Sequence, residues 1–240
     1  MNGTPLRDGV RQLARAARRE EWTFDRVLTA DERERTGTEG AEEVKDLLVR
    51  TNTGRRLATS MLRDVAAGGS IDDWPAVAPG PARTWEQAHH EGQEALCGLM
   101  AALDVASGEQ LASDPGPRRS HPQYLWRHVA IYSAREPFLA YAAWHHRSGR
   151  TFEALAVLGR WYDAVREAGL PTKALSDASY DLACGLARAG RGDDAMRYLP
   201  DAFSYNDRAA IGVLKAWARQ DPDLRPLSDR PDFRALVGAS

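Results

Sequence analysis

The residues best equipped for chemistry lie in one stretch, "LWRHVAIYSAREPFLAYAAWHHRSG", residues 125–149. Its periodicity predicts one long helix with an apolar face, yet His128, Tyr132 and Glu136 recur on it at i, i+4 and i+8. At 3.6 residues per turn these three point almost the same way, together with Leu125, Leu139 and Ala143. An imidazole, a phenol and a carboxylate on one line can run acid–base chemistry. Glu136 or His128 would act as general base on a water, and Tyr132 would donate a proton to the leaving atom. These groups suit hydrolysis or ring opening of an electrophile. Of the seven tryptophans, most are expected as core or junction anchors, with Trp126 placed to line a pocket beside His128. Pro137 removes the backbone bond toward Ser133 and predicts a kink by Glu136.

The elements that must position this line are helices. Period-two runs of Val, Ile and Thr are missing, whereas helical periodicity recurs along the chain. A first segment over residues 5–21 carries Leu6, Val10, Leu13 and Ala17 on one stripe, with Arg7, Arg11, Arg15, Arg18 and Arg19 beside it as a solvated basic face. A second over 39–67 stops at Gly68-Gly69, and a third spans 81–103. Regions 68–80 and 107–122, rich in Gly, Pro, Ser and Asp, read as loops. Four such helices predict a four-helix bundle over residues 1–150.

Residues 151–240 have a different grain. "SYDLACGLARAGRGDDAMRYLPDAFSYND" is a helix, a break at Gly190 and a second helix, with small residues at Ala195 and Ala202 where the two would touch. That spacing matches a tetratricopeptide-like hairpin. A helix at 152–168 precedes it. A capping tail follows, in which Trp217, Leu224, Leu227, Phe233 and Leu236 are expected to tuck onto the last hairpin.

Composition bounds the function. The chain has 240 residues, a formal net charge of −2 and 28% charged residues, so no global basic excess points to nucleic acid. The first twenty residues lack an apolar signal core, and the longest apolar run, "PFLAYAAW", is far short of a membrane span. Cys97 and Cys184 are the only cysteines, which predicts reduced thiols and a cytoplasmic location; Cys97 is expected buried and inert.

Three stretches carry a family resemblance: "EEVKDLLVRTNTGRRLATSMLRDVAAG", "ARTWEQAHHEGQEALCGLMAALDVASGEQLAS" and "YLWRHVAIYSAREPFLAYAAWH". In order, spacing and character they resemble the second to fourth helices of DinB-like bundles, in particular the ClbS/DfsB group. The resemblance covers about the first 150 residues. Many DinB-like proteins hold a divalent metal with one histidine on the second helix and two, four apart, on the fourth. The resemblance places Arg50 at the first of those positions and Tyr132 and Glu136 at the other two. Arginine does not ligate a metal under ordinary conditions and brings its own charge, so the expectation is no metal and no cofactor. Arg50 is instead expected to face Glu136 across the bundle, or to hold an anionic group of a ligand. The resemblance further implies self-protection: hydrolysis or sequestration of a reactive small molecule, such as a natural-product electrophile.

Two other readings stay open. The polar line is equally readable as a satisfied patch that keeps helix register. The C-terminal helices offer a surface for a protein partner or a homodimer, which would make the chain a binding or scaffold module without enzymatic activity. A metal- or thiol-dependent transferase of DinB type is a further alternative. No nucleic-acid or membrane partner is expected.

Overall fold

The computed structural model describes residues 3–35, 43–69, 84–114, 124–205 and 208–238. Among these residues every regular element is helical and there is no strand. The chain divides into two units, Met1–Trp144 and His145–Ser240. Trp74 and most of the two expected loops lie outside the described residues.

In the first unit α1 (Gly3–Arg26), α3 (Val44–Ala66) and α4 (Trp85–Val105) are long helices, joined by the short α2 (Ala30–Glu34) and α5 (Gly108–Leu111). A fourth rod is made of α6 (Leu125–Ala130), a π turn (Ile131–Arg135) and α7 (Glu136–Arg147). Both α1 and α3 pack on α4 and on the α6–π segment. Threonine starts α2 and α4: Thr29 and Thr84 each cap an amide three residues on, and Glu32 and Gln87 return the bond. Gly68, at φ +82°, ends α3 in a conformation that costs glycine little. The α1 helix runs longer than its apolar stripe predicts: Phe24 in its last turns is buried too, and Leu28, just past its end, is buried as well. The loop expected over 107–122 contains α5, whose start is capped by Ser107.

The π turn sets the register of the fourth rod. The Glu136 amide reaches back five residues to the Ile131 carbonyl. Pro137 has no N–H, so the Tyr132 carbonyl finds neither of the amides that would serve it in α or π geometry. That oxygen faces α3 at Gly54, where an added Cβ would stand 2.8 Å from it. Glycine at 54 therefore lets the two helices close. The extra residue in the turn also shifts the buried face. Val129, Ala134 and Phe138 form the core line, spaced five and then four apart. The line predicted for a continuous α-helix is thereby split: Leu125 and His128 are buried, whereas Tyr132, Glu136, Leu139 and Ala143 are half-buried at the edge.

The second unit contains α8 (Thr151–Glu167), α9 (Thr172–Arg188), α10 (Gly192–Ala202), α11 (Arg208–Ala218), a 3₁₀ turn (Pro222–Leu227) and α12 (Pro231–Val237). α9 is the central helix, packed on α8, α10 and the 3₁₀ turn. Ala195 and Ala202 are fully buried, and Gly190, at φ +73°, makes the turn between α9 and α10. The Trp161 indole donates to Asp181 at 3.1 Å, so this buried tryptophan keeps a partner. Leu224, Leu227 and Phe233 bury the tail as expected, but Trp217 does not join them. It is 61% exposed, because α11 turns the neighbouring Ala218 inward, about 100° around the helix from Trp217.

Candidate functional site

Two polar regions of the first unit can do chemistry. The first is the edge of the α3–π–α7 seam. Arg50 stands one turn before Gly54 on α3, and Glu136 one turn after Tyr132 on the antiparallel partner. Burial pushes the Glu136 carboxyl above its ordinary range, and the positive charges of Arg50 and then Arg135 partly offset that. Burial and then the Glu136 charge push the Tyr132 phenol up as well. Arg50, Tyr132 and Glu136 thus share one electrostatic neighbourhood. Arg50 is exposed, however, so this neighbourhood lies at the rim and not at the centre of the helices. His128 and Trp126 are buried, 8% and 3% exposed, on a different side of the rod from the half-buried pair.

The centre is held by other residues. Arg55 of α3 is completely buried, and its Nη2 lies 2.9 Å from Oε2 of Glu21 on α1. Arg18, one turn back on α1, pairs with the other carboxylate oxygen of Glu21. One carboxylate is therefore shared by two guanidiniums. Burial lowers the basicity of both arginines, with the charge of Arg55 adding to the effect at Arg18. A guanidinium starts so far above neutrality that it stays charged. Around this centre Asn52 donates to the Ala88 carbonyl at 2.7 Å, which ties α3 to α4. Gly92 supplies room: a Cβ there would stand 2.8 Å from Asn52 Oδ1 and 3.1 Å from Arg18 Nη1. Tyr141 of α7 closes the far side. Its phenol is driven up by burial, while Arg55 and a bond with Thr51 pull it back.

His89 marks the outer edge of the centre. Its Nδ1 is 3.8 Å from Glu21 Oε1, and the Trp85 ring meets it edge-on at 4.6 Å. Burial lowers its basicity, Asp25 opposes this, and Arg18 and Arg33 reinforce it. The imidazole is accordingly neutral at neutral pH and can accept a proton.

Three expectations need correction. Arg18 was expected on a solvated basic face; it is 6% exposed, because the α1 face that carries Val10, Ala14 and Ala17 continues through Glu21 to Phe24 and draws Arg18 in beside that carboxylate. Cys97 was expected buried, but it is exposed on α4 and receives only a weak contact from Gln93. The ion pair expected to fill the centre through Arg50 is instead made by Arg55. The signal for Arg55 was present. It stands midway between Leu48 and Leu62, seven residues from each, on the buried stripe of α3. Glu21 likewise interrupts the Val10, Ala14, Ala17, Phe24 stripe of α1.

The positions that the family resemblance assigns to metal ligands do not fit a divalent ion. They hold an exposed guanidinium, a phenol held protonated and a single carboxylate. Among the described residues, one set of metal-type donors converges elsewhere, in the second unit: Cys184, Asp221 and Asp223, with ligand atoms within 4.8 Å of one another. Each of those groups already has a partner: the Cys184 thiol lies 3.8 Å from Asp221, and the two carboxylates are held by neighbours outside the set. Asp221 accepts from the Tyr180 hydroxyl at 2.8 Å, and Asp223 pairs with Arg188 at 3.6 Å. The Cys184 thiol is pushed far up by burial and then by Asp221. Comparison with models of protein families, with curated proteins and with solved structures gave no match.

Proposed function

We propose that the first unit is a DinB-like four-helix bundle of protective type, which hydrolyses or sequesters a reactive small molecule without a metal. The observation that carries this reading is the Tyr132–Glu136 pair beside Arg50. Both groups are half-buried and biased toward their protonated forms, which suits proton donation to a leaving atom and, once Glu136 is ionised, activation of a water. Arg50, exposed at the same edge, would hold an anionic part of the ligand. His128 and Trp126 support the rod from its buried side. Glu136→Gln and Tyr132→Phe are each expected to abolish protection of cells against the electrophile while leaving the helical spectrum unchanged. Variants that protect as well as the parent would defeat the proposal.

A second reading, a protein-binding module, rests on α11. Its apolar residues Val213 and Trp217, one turn apart, are 65% and 61% exposed. Light scattering and pull-down with Trp217→Ser test it: loss of an association seen with the parent supports this reading, and association that survives the substitution opposes it.

A further inference from the structure

We infer that the exposed ridge of α1 made by Arg15, Arg19, Trp22 and Arg26 is a binding surface for a single strand of nucleic acid. At 100° per residue these four side chains fall within about 60° of one another and span about 16 Å of helix. All four are exposed. The basic face of α1 is not uniform along its length. Toward the N-terminus Arg7 donates to the Asp104 carbonyl at 3.5 Å, and Arg11 pairs with the Asp104 carboxylate. Arg18 is drawn into the core with Glu21. Among the described residues Arg15 and Arg19 have no ion pair or hydrogen bond, and Arg26 meets only the Thr23 hydroxyl, at 3.5 Å. The four acids of α1 do not neutralise them. Glu20 and Glu21 are buried, Asp25 is held by Arg33 at 2.9 Å, and Asp8, two turns before Arg15, meets Arg11 at 3.8 Å. Arg15 and Arg19, four residues apart, repel each other slightly, and an anionic partner turns that cost into a gain. The formal net charge of −2 hides this local excess, because a sum over 240 residues carries no information about arrangement.

Trp22 decides the class of partner, since a row of cations alone fits any polyanion. The Arg18 guanidinium lies 5.4 Å from the centre of the indole and is itself fixed by Glu21, yet the tryptophan is 53% exposed. A braced, exposed indole between Arg19 and Arg26 suits an unpaired base, which stacks on it while neighbouring phosphates meet the guanidiniums. DNA and RNA strands share both features. An anionic membrane fits less well, because an interfacial helix needs an apolar face. Trp22 is the one apolar side chain on this ridge, and Val27 lies about 100° further round the helix from Arg26.

The test uses the full chain and a fluorescent twelve-nucleotide oligothymidine, read by anisotropy at low salt. Saturable binding is expected, with log K falling against log salt with a slope of about −2, as three phosphate contacts on a single strand require. The triple change Arg15→Gln, Arg19→Gln and Arg26→Gln should weaken binding at least tenfold. Trp22→Ala should weaken it at least fivefold with the helical spectrum unchanged. Arg63→Gln, at an exposed arginine of α3, and Glu136→Gln should each leave it within twofold, which separates the ridge from bulk charge and from the acid–base pair. An abasic strand of the same length and polyglutamate should both bind at least fivefold more weakly, and vesicles of anionic lipid should not retain the protein. Lack of saturable binding, equal binding of the abasic strand or polyglutamate, retention on the vesicles, or full affinity in either ridge variant would each overturn the inference.

Discussion

The two polar regions of the first unit use the same side-chain types to opposite ends. At the centre, Arg18 and Arg55 enclose Glu21 where water is excluded, and the carboxylate is shared between them. At the edge, Glu136 has Arg50 within electrostatic range, but Arg50 is exposed. A pair sealed in the core must stay paired, because a single buried charge costs several kcal/mol. A pair at a rim is screened and adjustable, so its groups remain available for proton transfer. The centre is therefore scaffold, and the edge is the region to which the proposed chemistry is assigned.

The comparison can be broken most severely at Glu21. Replacing it with Leu leaves two guanidiniums facing each other and should lower stability by about 3–5 kcal/mol, measured by urea unfolding. A loss below about 1 kcal/mol would mean the centre is hydrated and not sealed. Gly54→Ala comes next. The Tyr132 carbonyl stands where the new methyl must go and is backbone on a packed rod, so about 1–3 kcal/mol should be lost. The same variant should reduce activity, since it displaces the turn that presents Tyr132 and Glu136.

The titrations sharpen the contrast further. The folded state holds the Glu136 proton more tightly than the unfolded chain does. Stability therefore falls as pH rises from the ordinary carboxylate value to the raised folded one, and Glu136→Gln should remove that fall and be no less stable at neutral pH. His89 runs the other way: its folded pKa is lowered, so acidification below about pH 6.5 favours unfolding. His89→Gln should flatten that limb. Melting temperatures across pH 4–8 read both slopes. The smallest effect is expected at Arg50, where Ala should change stability by less than about 0.5 kcal/mol while activity falls.

How much of this was legible in the sequence depends on the kind of signal. Helical class followed from periodicity, as did the stops at Gly68 and Gly190, where only glycine readily takes the positive φ that the turn needs. Pro137 announced an irregularity, but whether it would bend the rod or insert a residue is decided by packing against Gly54. That insertion is what separates His128 from Tyr132 and Glu136. The line drawn at i, i+4 and i+8 assumed unbroken α geometry, so it joined residues from two sides of the rod. Arg55 and Glu21 were readable as charges on apolar stripes, yet a charge on a stripe becomes meaningful only when its partner on another helix is known. Trp217 shows the reverse case, an aromatic whose fate was set by which neighbour, Ala218, turned inward.

The most direct test of the contrast is a double-mutant cycle between Glu21→Leu and Arg55→Met, measured by urea unfolding. A sealed shared pair predicts a coupling energy of at least about 1.5 kcal/mol: the double variant, in which Arg18 still lacks its carboxylate, loses clearly less than the two single losses added together. Additive losses, with coupling near zero, would contradict it.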